Sequence, residues 1–113
     1  RRDSSNARRQ AVLGVGADTL ATYGAVSAQT VEQMAEGALH ACVTAHIAVS
    51  ISGIAGPDGG SADKPVGLVW FATARRGGAT CAHHTLFAGD RVSVREQAVF
   101  YALELVAGRL GFL

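Results

Sequence analysis

Two arginines, Arg91 and Arg95, stand four residues apart just after Gly89-Asp90. On a helix that spacing puts both guanidinium groups on one face, a turn apart. A guanidinium presents a planar fork of donors that fits phosphate, and the first turn of a helix adds unpaired N–H groups. The second feature with chemical potential is Gly53-Ile54-Ala55-Gly56-Pro57-Asp58-Gly59-Gly60. Glycine lets a backbone approach a ligand closely, so such a stretch can cradle a nucleotide. On its residues alone it also fits an ordinary strand-to-strand connection. For Arg91 and Arg95 the plain alternative is a solvated helix face, paired with Glu96 or Asp90.

Cys81, His83 and His84 raise the question of a metal. Alternation on a strand puts Cys81 and His83 on one face and His84 on the other. Two ligands fall short of the three or four that zinc takes, so no metal is expected. His40 and His46 flank the end of a helix, where a cation suits the dipole, and are read as structural. Trp70, beside Phe71, is read as core.

These residues must be positioned by a small set of elements. Ser27 can cap a helix over about 27–42, whose stripe is Val31, Met34, Ala35, Ala38, Leu39 and Cys42. Asp18 can cap a short helical turn from Leu20 to Tyr23. Residues 46–52 alternate as a strand, with Ile47, Val49 and Ile51 on one face and small residues on the other. Residues 66–73, VGLVWFAT, form a continuous apolar strand, and 80–87 a third. The Arg75-Arg76-Gly77-Gly78 turn makes the last two antiparallel neighbours. A final helix over about 90–108 has Asp90 as N-cap, Gly108 near its end, and a stripe of Val94, Ala98, Tyr101, Ala102 and Leu105. Two helices do not readily cover both faces of three apolar strands. The pattern asks for a further element or a partner copy, with Val49, Ile51, Leu68 and Trp70 near the covered surface.

The bulk numbers exclude several classes. At 113 residues the chain holds one domain or less. With 49% hydrophobic and 17% charged residues it is a folding composition, not a disordered one. A formal charge of +1 calls for neither nucleic acid nor an anionic membrane. Arg1, Arg2, Arg8 and Arg9 form the one basic cluster, at a terminus, and no apolar run follows them as a secretory leader requires. No run approaches the ~20 residues of a membrane span. Cys42 and Cys81 have no metal-ligand or framework spacing, which fits reduced thiols and a cytoplasmic setting.

Three stretches in order resemble the C-terminal domain of the CinA family, the nicotinamide-nucleotide amidohydrolases. The first is Ser5-Asn6, Leu13-Gly14-Val15 and Tyr23-Gly24-Ala25-Val26-Ser27. The second, and most specific, is Ser52 to Gly60 leading into Lys64-Pro65-Val66-Gly67. The third is Phe87-Ala88-Gly89-Asp90-Arg91 with Arg95 one turn on. The resemblance implies a three-layer α/β/α fold that oligomerises. It implies an activity that takes nicotinamide mononucleotide and water to nicotinic acid mononucleotide and ammonia. It implies a serine nucleophile, a lysine base and a nearby tyrosine, with no cofactor.

On that resemblance the residues expected to bind substrate are Ser52, Gly53, Ala55, Gly56, Arg91 and Arg95, with Arg91 at the position of a phosphate-contacting arginine. The catalytic side is changed. The 113 residues contain no Thr-Ala-Glu-Ser-Cys-Thr-Gly type motif, Ser4 stands where the tyrosine is expected, and Arg9 stands in the lysine's place. An arginine holds its proton at neutral pH and is no general base. The expectation is a single CinA-type domain over 1–113, incomplete at its N-terminal side and inactive as it stands, binding a pyridine mononucleotide and forming homo-oligomers. The alternative is a non-catalytic nucleotide-binding or oligomerisation module derived from that family.

Overall fold

The hairpin at residues 76–79 and the glycine-rich loop at 54–67 turn the chain back on itself twice, and a meander of three antiparallel strands results. The computed structural model describes residues 14–112; Ser4, Ser5, Asn6 and Arg9, with what was expected of them, lie outside the described residues. The elements run α1 (Ala17–Tyr23), α2 (Ala28–Ala41), β1 (Ile47–Gly53), β2 (Leu68–Arg75), β3 (Thr80–Leu86) and α3 (Arg91–Leu110). The sheet order is β1-β2-β3, with Ile51 opposite Phe71 and Phe71 opposite His83.

One helix lies on each face, so the fold is α/β in three layers. Val31, Ala35 and Leu39 of α2 pack on Ala72 and Ala74, with Met34, Ala48, Trp70 and Ala82 alongside. Val94, Ala98 and Ala102 of α3 pack on Val69 and Phe71 of the other face, with Tyr101 and Phe87. Phe71, Phe87 and Tyr101 form an aromatic triangle with ring centroids 4.6 to 6.2 Å apart. Fully burying one such side chain contributes about 1.5–3 kcal/mol, so these two clusters hold the layers together.

Ser27 does cap α2. Its Oγ accepts from Thr30 N at 3.2 Å and donates to Gly24 O, which Thr30 Oγ1 also reaches. Val94, Ala98 and Ala102 of the α3 stripe are buried, Tyr101 and Leu105 partly so, and Asp90 caps the helix through Ser93 N.

Several expectations are corrected. Asp18 lies inside α1, whose N-cap is Gly16 with no side-chain cap; Gly16 N donates to Gln33 Oε1 instead. β2 starts at Leu68, not Val66, because Gly67 has φ +98°, and a strand cannot pass through that conformation. α3 continues through Gly108 to Leu110 and is closed by Gly111 in the left-handed region. Cys42 follows α2 and is exposed, so the stripe ends at Leu39. Trp70 is only half-buried and stacks on His84 at 4.5 Å. The small face of β1 is the covered one: Ser50 Oγ donates to Val31 O, while Val49 and Ile51 are exposed on the other side. Leu68 and Trp70 belong to the α2 face, opposite Val49 and Ile51.

Candidate functional site

The loop between β1 and β2 is closed at its base by backbone pairs. Ile54 N donates to Leu68 O, Gly67 N to Ile54 O, and Phe87 N to Gly67 O, so the loop is fastened to the start of β2 and the end of β3. Inside it, Ser61 and Lys64 form a turn in which Lys64 N donates to Ser61 Oγ and Ser61 N to Lys64 O. Gly56 (φ +86°) is buried beneath Val66, and a Cβ there would collide with Val66 Cγ1. Glycine at position 56 is therefore required by the loop's own packing.

The first turn of α3 meets this loop. Arg91 Nη1 donates to Gly56 O at 3.0 Å. Beside the contact is a cleft of about 200 Å³, lined by Ile51, Gly53, Ala55, Arg91 and Arg95, with Val69 and Val94 at its floor. Two guanidinium groups at an apolar-floored recess beside a glycine-rich backbone suit the phosphate of a small ligand. The unpaired N–H groups expected at this helix start are already engaged in part. Asp90 Oδ1 accepts from Ser93 N at 2.9 Å. An anion placed here would meet the arginines more than free helix-end donors.

Of the six residues expected to bind substrate, the fold brings together Gly53, Ala55, Arg91 and Arg95 around this cleft, and Gly56 joins through its carbonyl. Ser52 does not join them. It is buried on the α2 side of β1, two residues from Ser50, and its hydroxyl makes no hydrogen bond to a described residue. Arg9 lies outside the described residues. Among the described residues no three of His, Cys, Asp and Glu are grouped to hold a metal ion. His84 stacks on Trp70, while His83 lies across from Phe71 on the other face. No described helix is long and apolar enough to cross a membrane.

Sequence reasoning did not find what Lys64 does. Its ammonium donates to Tyr23 O, 41 positions away, and ties the loop to the end of α1. A second recess there is lined by Tyr23, Ser27, Lys64 and Trp70. The KPVG stretch was the available signal, but it does not say which carbonyl the lysine meets.

A three-layer α/β/α domain with a glycine-rich strand connection facing paired arginines is the class that fold and cleft define. The chain belongs to the CinA C-terminal domain family, which matches residues 4–110. It is 54% identical over 100 residues to the nicotinamide-nucleotide amidohydrolase PncC of Enterobacter agglomerans, and equally to that of Escherichia coli K12. In each case the match covers 88% of this chain and 60% of the relative, so the chain spans about 60% of the length of these curated relatives. Among solved structures it is similar to the competence/damage inducible protein CihA from Agrobacterium tumefaciens, at TM-score 0.88 and 47% identity, over 91% of this chain and 62% of that one. The competence damage-inducible protein A from Klebsiella pneumoniae matches at TM-score 0.83 and 43% identity, over 90% and 62%.

Proposed function

We propose that this chain is the nucleotide-holding part of a nicotinamide-nucleotide amidohydrolase. The family reaction is hydrolysis of an amide: water replaces ammonia on the nicotinamide carbonyl, and nicotinic acid mononucleotide results. The observation that carries the reading is the bond from Arg91 to Gly56 O. It brings the glycine-rich loop and both arginines to one cleft, where they hold the 5′-phosphate. The names of the relatives at 54% identity support the substrate class. The two free cysteines agree with a cytoplasmic reaction.

The 113 residues alone bind the mononucleotide without turning it over. A hydroxyl nucleophile works only with a neighbour to take its proton. The serine motif is absent from these residues, and Arg9 stands where the resemblance expects the lysine. Removing a nucleophile and its base costs several orders of magnitude in rate.

Calorimetry with nicotinamide mononucleotide and with its phosphate-free riboside tests the binding half. Binding of the mononucleotide with clear loss for the riboside is expected; no heat at millimolar mononucleotide removes the reading. An ammonia assay tests the other half. Ammonia release proportional to the concentration of this chain would show that the catalytic part of the reading is wrong.

A further inference from the structure

The glycine-rich loop has two limbs, 54–60 leaving β1 and 61–67 returning to β2. Residues 55–60 make no backbone–backbone hydrogen bond to a described residue. Side chains from two directions hold them instead. From α3, Arg91 Nη1 donates to Gly56 O. From the returning limb, Val66 lies against Gly56 and Gly60. A Cβ on Gly56 would fall 2.5 Å from Val66 Cγ1, and one on Gly60 2.8 Å from Val66 N. The place of Gly56 O, and with it the aim of the Arg91 guanidinium, therefore follows the place of Val66. Val66 is 38% exposed, so burial in the core does not fix it. The chain on either side of it does. Gly67 is tied to Ile54 O and Phe87 N, and Lys64 is tied to Tyr23 O at the end of α1.

The lysine tie is anchored at both ends. Tyr23 is the last residue of α1, so its carbonyl has no partner within the helix and is open to the ammonium. Gly24, next in the chain, is locked to α2: its carbonyl accepts from Ser27 Oγ and from Thr30 Oγ1, and Thr30 is fully buried. At the other end, Lys64 N donates to Ser61 Oγ and Lys64 O accepts from Ser61 N, which fixes the backbone that carries the side chain. We propose that Lys64 is a positioning residue for the phosphate site, acting on Arg91 through Val66 and Gly56. The relay spans the loop, from the end of α1 to the first turn of α3. Lys64 does not itself line the cleft; it lines the recess beside Tyr23 and Trp70. The inference rests on the reading of the cleft as a phosphate site, and adds the residue that sets how firmly the arginine is held there.

The test uses three single changes in the 113-residue protein. Lys64→Met keeps the stem and removes the ammonium, Lys64→Arg keeps a charged donor, and Val66→Ala reaches the same relay one step on. Both side chains are partly exposed, so the circular dichroism is expected to stay unaltered. Nicotinamide mononucleotide is titrated calorimetrically into each variant, with Arg91 present and with Arg91→Ala. With Arg91 present, Lys64→Met and Val66→Ala weaken binding by about fivefold or more, and Lys64→Arg recovers most of the loss. With Arg91→Ala, Lys64→Met changes affinity by less than about twofold, because the residue it acts through is gone. A merely structural lysine would weaken both backgrounds alike. A second readout needs no ligand: the Arg91 side-chain N–H, followed by NMR relaxation, is more mobile in Lys64→Met than in the parent protein and is restored in Lys64→Arg. Where the Arg91→Ala proteins bind too weakly to compare, this relaxation decides. A parent protein that does not bind millimolar mononucleotide removes the phosphate reading and this role with it. Binding that Lys64→Met leaves unchanged, equal losses in the two backgrounds, or unaltered Arg91 relaxation overturns the positioning role alone.

Discussion

Arg91 Nη1 and the carbonyl oxygen of Gly56 lie 3.0 Å apart, joining the first turn of α3 to a loop 35 positions earlier in the chain. The arginine is thus oriented by the loop it orients. Replacing it removes a loop fastening and, on the proposed reading, a phosphate partner. Arg91→Ala is expected to weaken mononucleotide binding by about 1.5–3 kcal/mol, the range for hydrogen bonds to charged groups. Arg91→Lys keeps the charge but not the fork and should recover only part of this. Calorimetry on the three proteins checks it, and affinities unchanged within error would take Arg91 out of the site. The fold should be little altered, because Arg91 is largely exposed.

Glycine substitutions should separate by environment. Gly67 has φ +98°, and a Cβ there would collide with the Phe87 carbonyl oxygen, which itself accepts no relief from a flexible side chain. Gly67→Ala should cost about 2–3 kcal/mol or prevent folding, since strain and a backbone clash combine. Gly108 sits inside α3 with open space around it. Gly108→Ala should stabilise by about 0.5–1 kcal/mol. Thermal unfolding of both variants decides, and effects of the same sign would contradict the account.

Arg76 closes α2 from a distance. Its guanidinium donates to Leu39 O at 2.7 Å, a carbonyl the helix end leaves free, and to Cys42 O at 2.9 Å and Ala45 O at 2.8 Å in the turn that follows. Arg76→Ala should lower stability by about 1–2 kcal/mol, less than three buried bonds would give because the side chain is exposed. The urea midpoint should fall with an unchanged slope.

Cys42 should be the more reactive thiol. The Thr44 hydroxyl and the backbone N–H groups of Thr44 and Ala45 hold its pKa below the ordinary thiol value; desolvation opposes them, and the Arg76 guanidinium adds a lesser lowering. A depressed thiol pKa leaves more thiolate at neutral pH, and the thiolate is the nucleophile. Cys42 is exposed and Cys81 only partly so. Iodoacetamide should therefore label Cys42 first, with a rate that falls as pH drops through the depressed pKa. Thr44→Val should move that profile to higher pH. Equal labelling of both cysteines across the range would contradict this.

What the sequence made legible follows from how local each signal is. The α3 stripe, the Ser27 and Asp90 caps and the hairpin at Gly77 depend on residues within a turn of one another, and all are present. The glycine-rich loop and Arg91 were found by spacing and resemblance, and the fold brings them to one cleft. Ser52 was misplaced because strand alternation sends its side chain to the face opposite Gly53 and Ile51, a fact of register that a motif does not encode. Lys64, Arg76 and Arg109 were passed over because their partners, Tyr23 O, Leu39 O and Thr73, are 41, 37 and 36 positions away. Long side chains that seek backbone carbonyls leave no periodic trace.

The neighbouring residues Arg75 and Arg76 serve different layers of the domain. Arg76 holds the carbonyls that end α2, whereas Arg75 Nη1 donates to Arg109 O, one residue short of the end of α3. The negative poles of both helices therefore converge on one hairpin, where two fixed cations offset them. The positive poles lie at the opposite end, at Ser27 and Asp90, on either side of the glycine-rich loop. A protein with a formal charge of only +1 is in this way electrically polar along its length. An anion held at the loop end, as proposed, would feel this field less as ionic strength rises, over a Debye length of about 8–10 Å. The hairpin, far from the cleft, gathers the two negative poles beside the arginines that offset them.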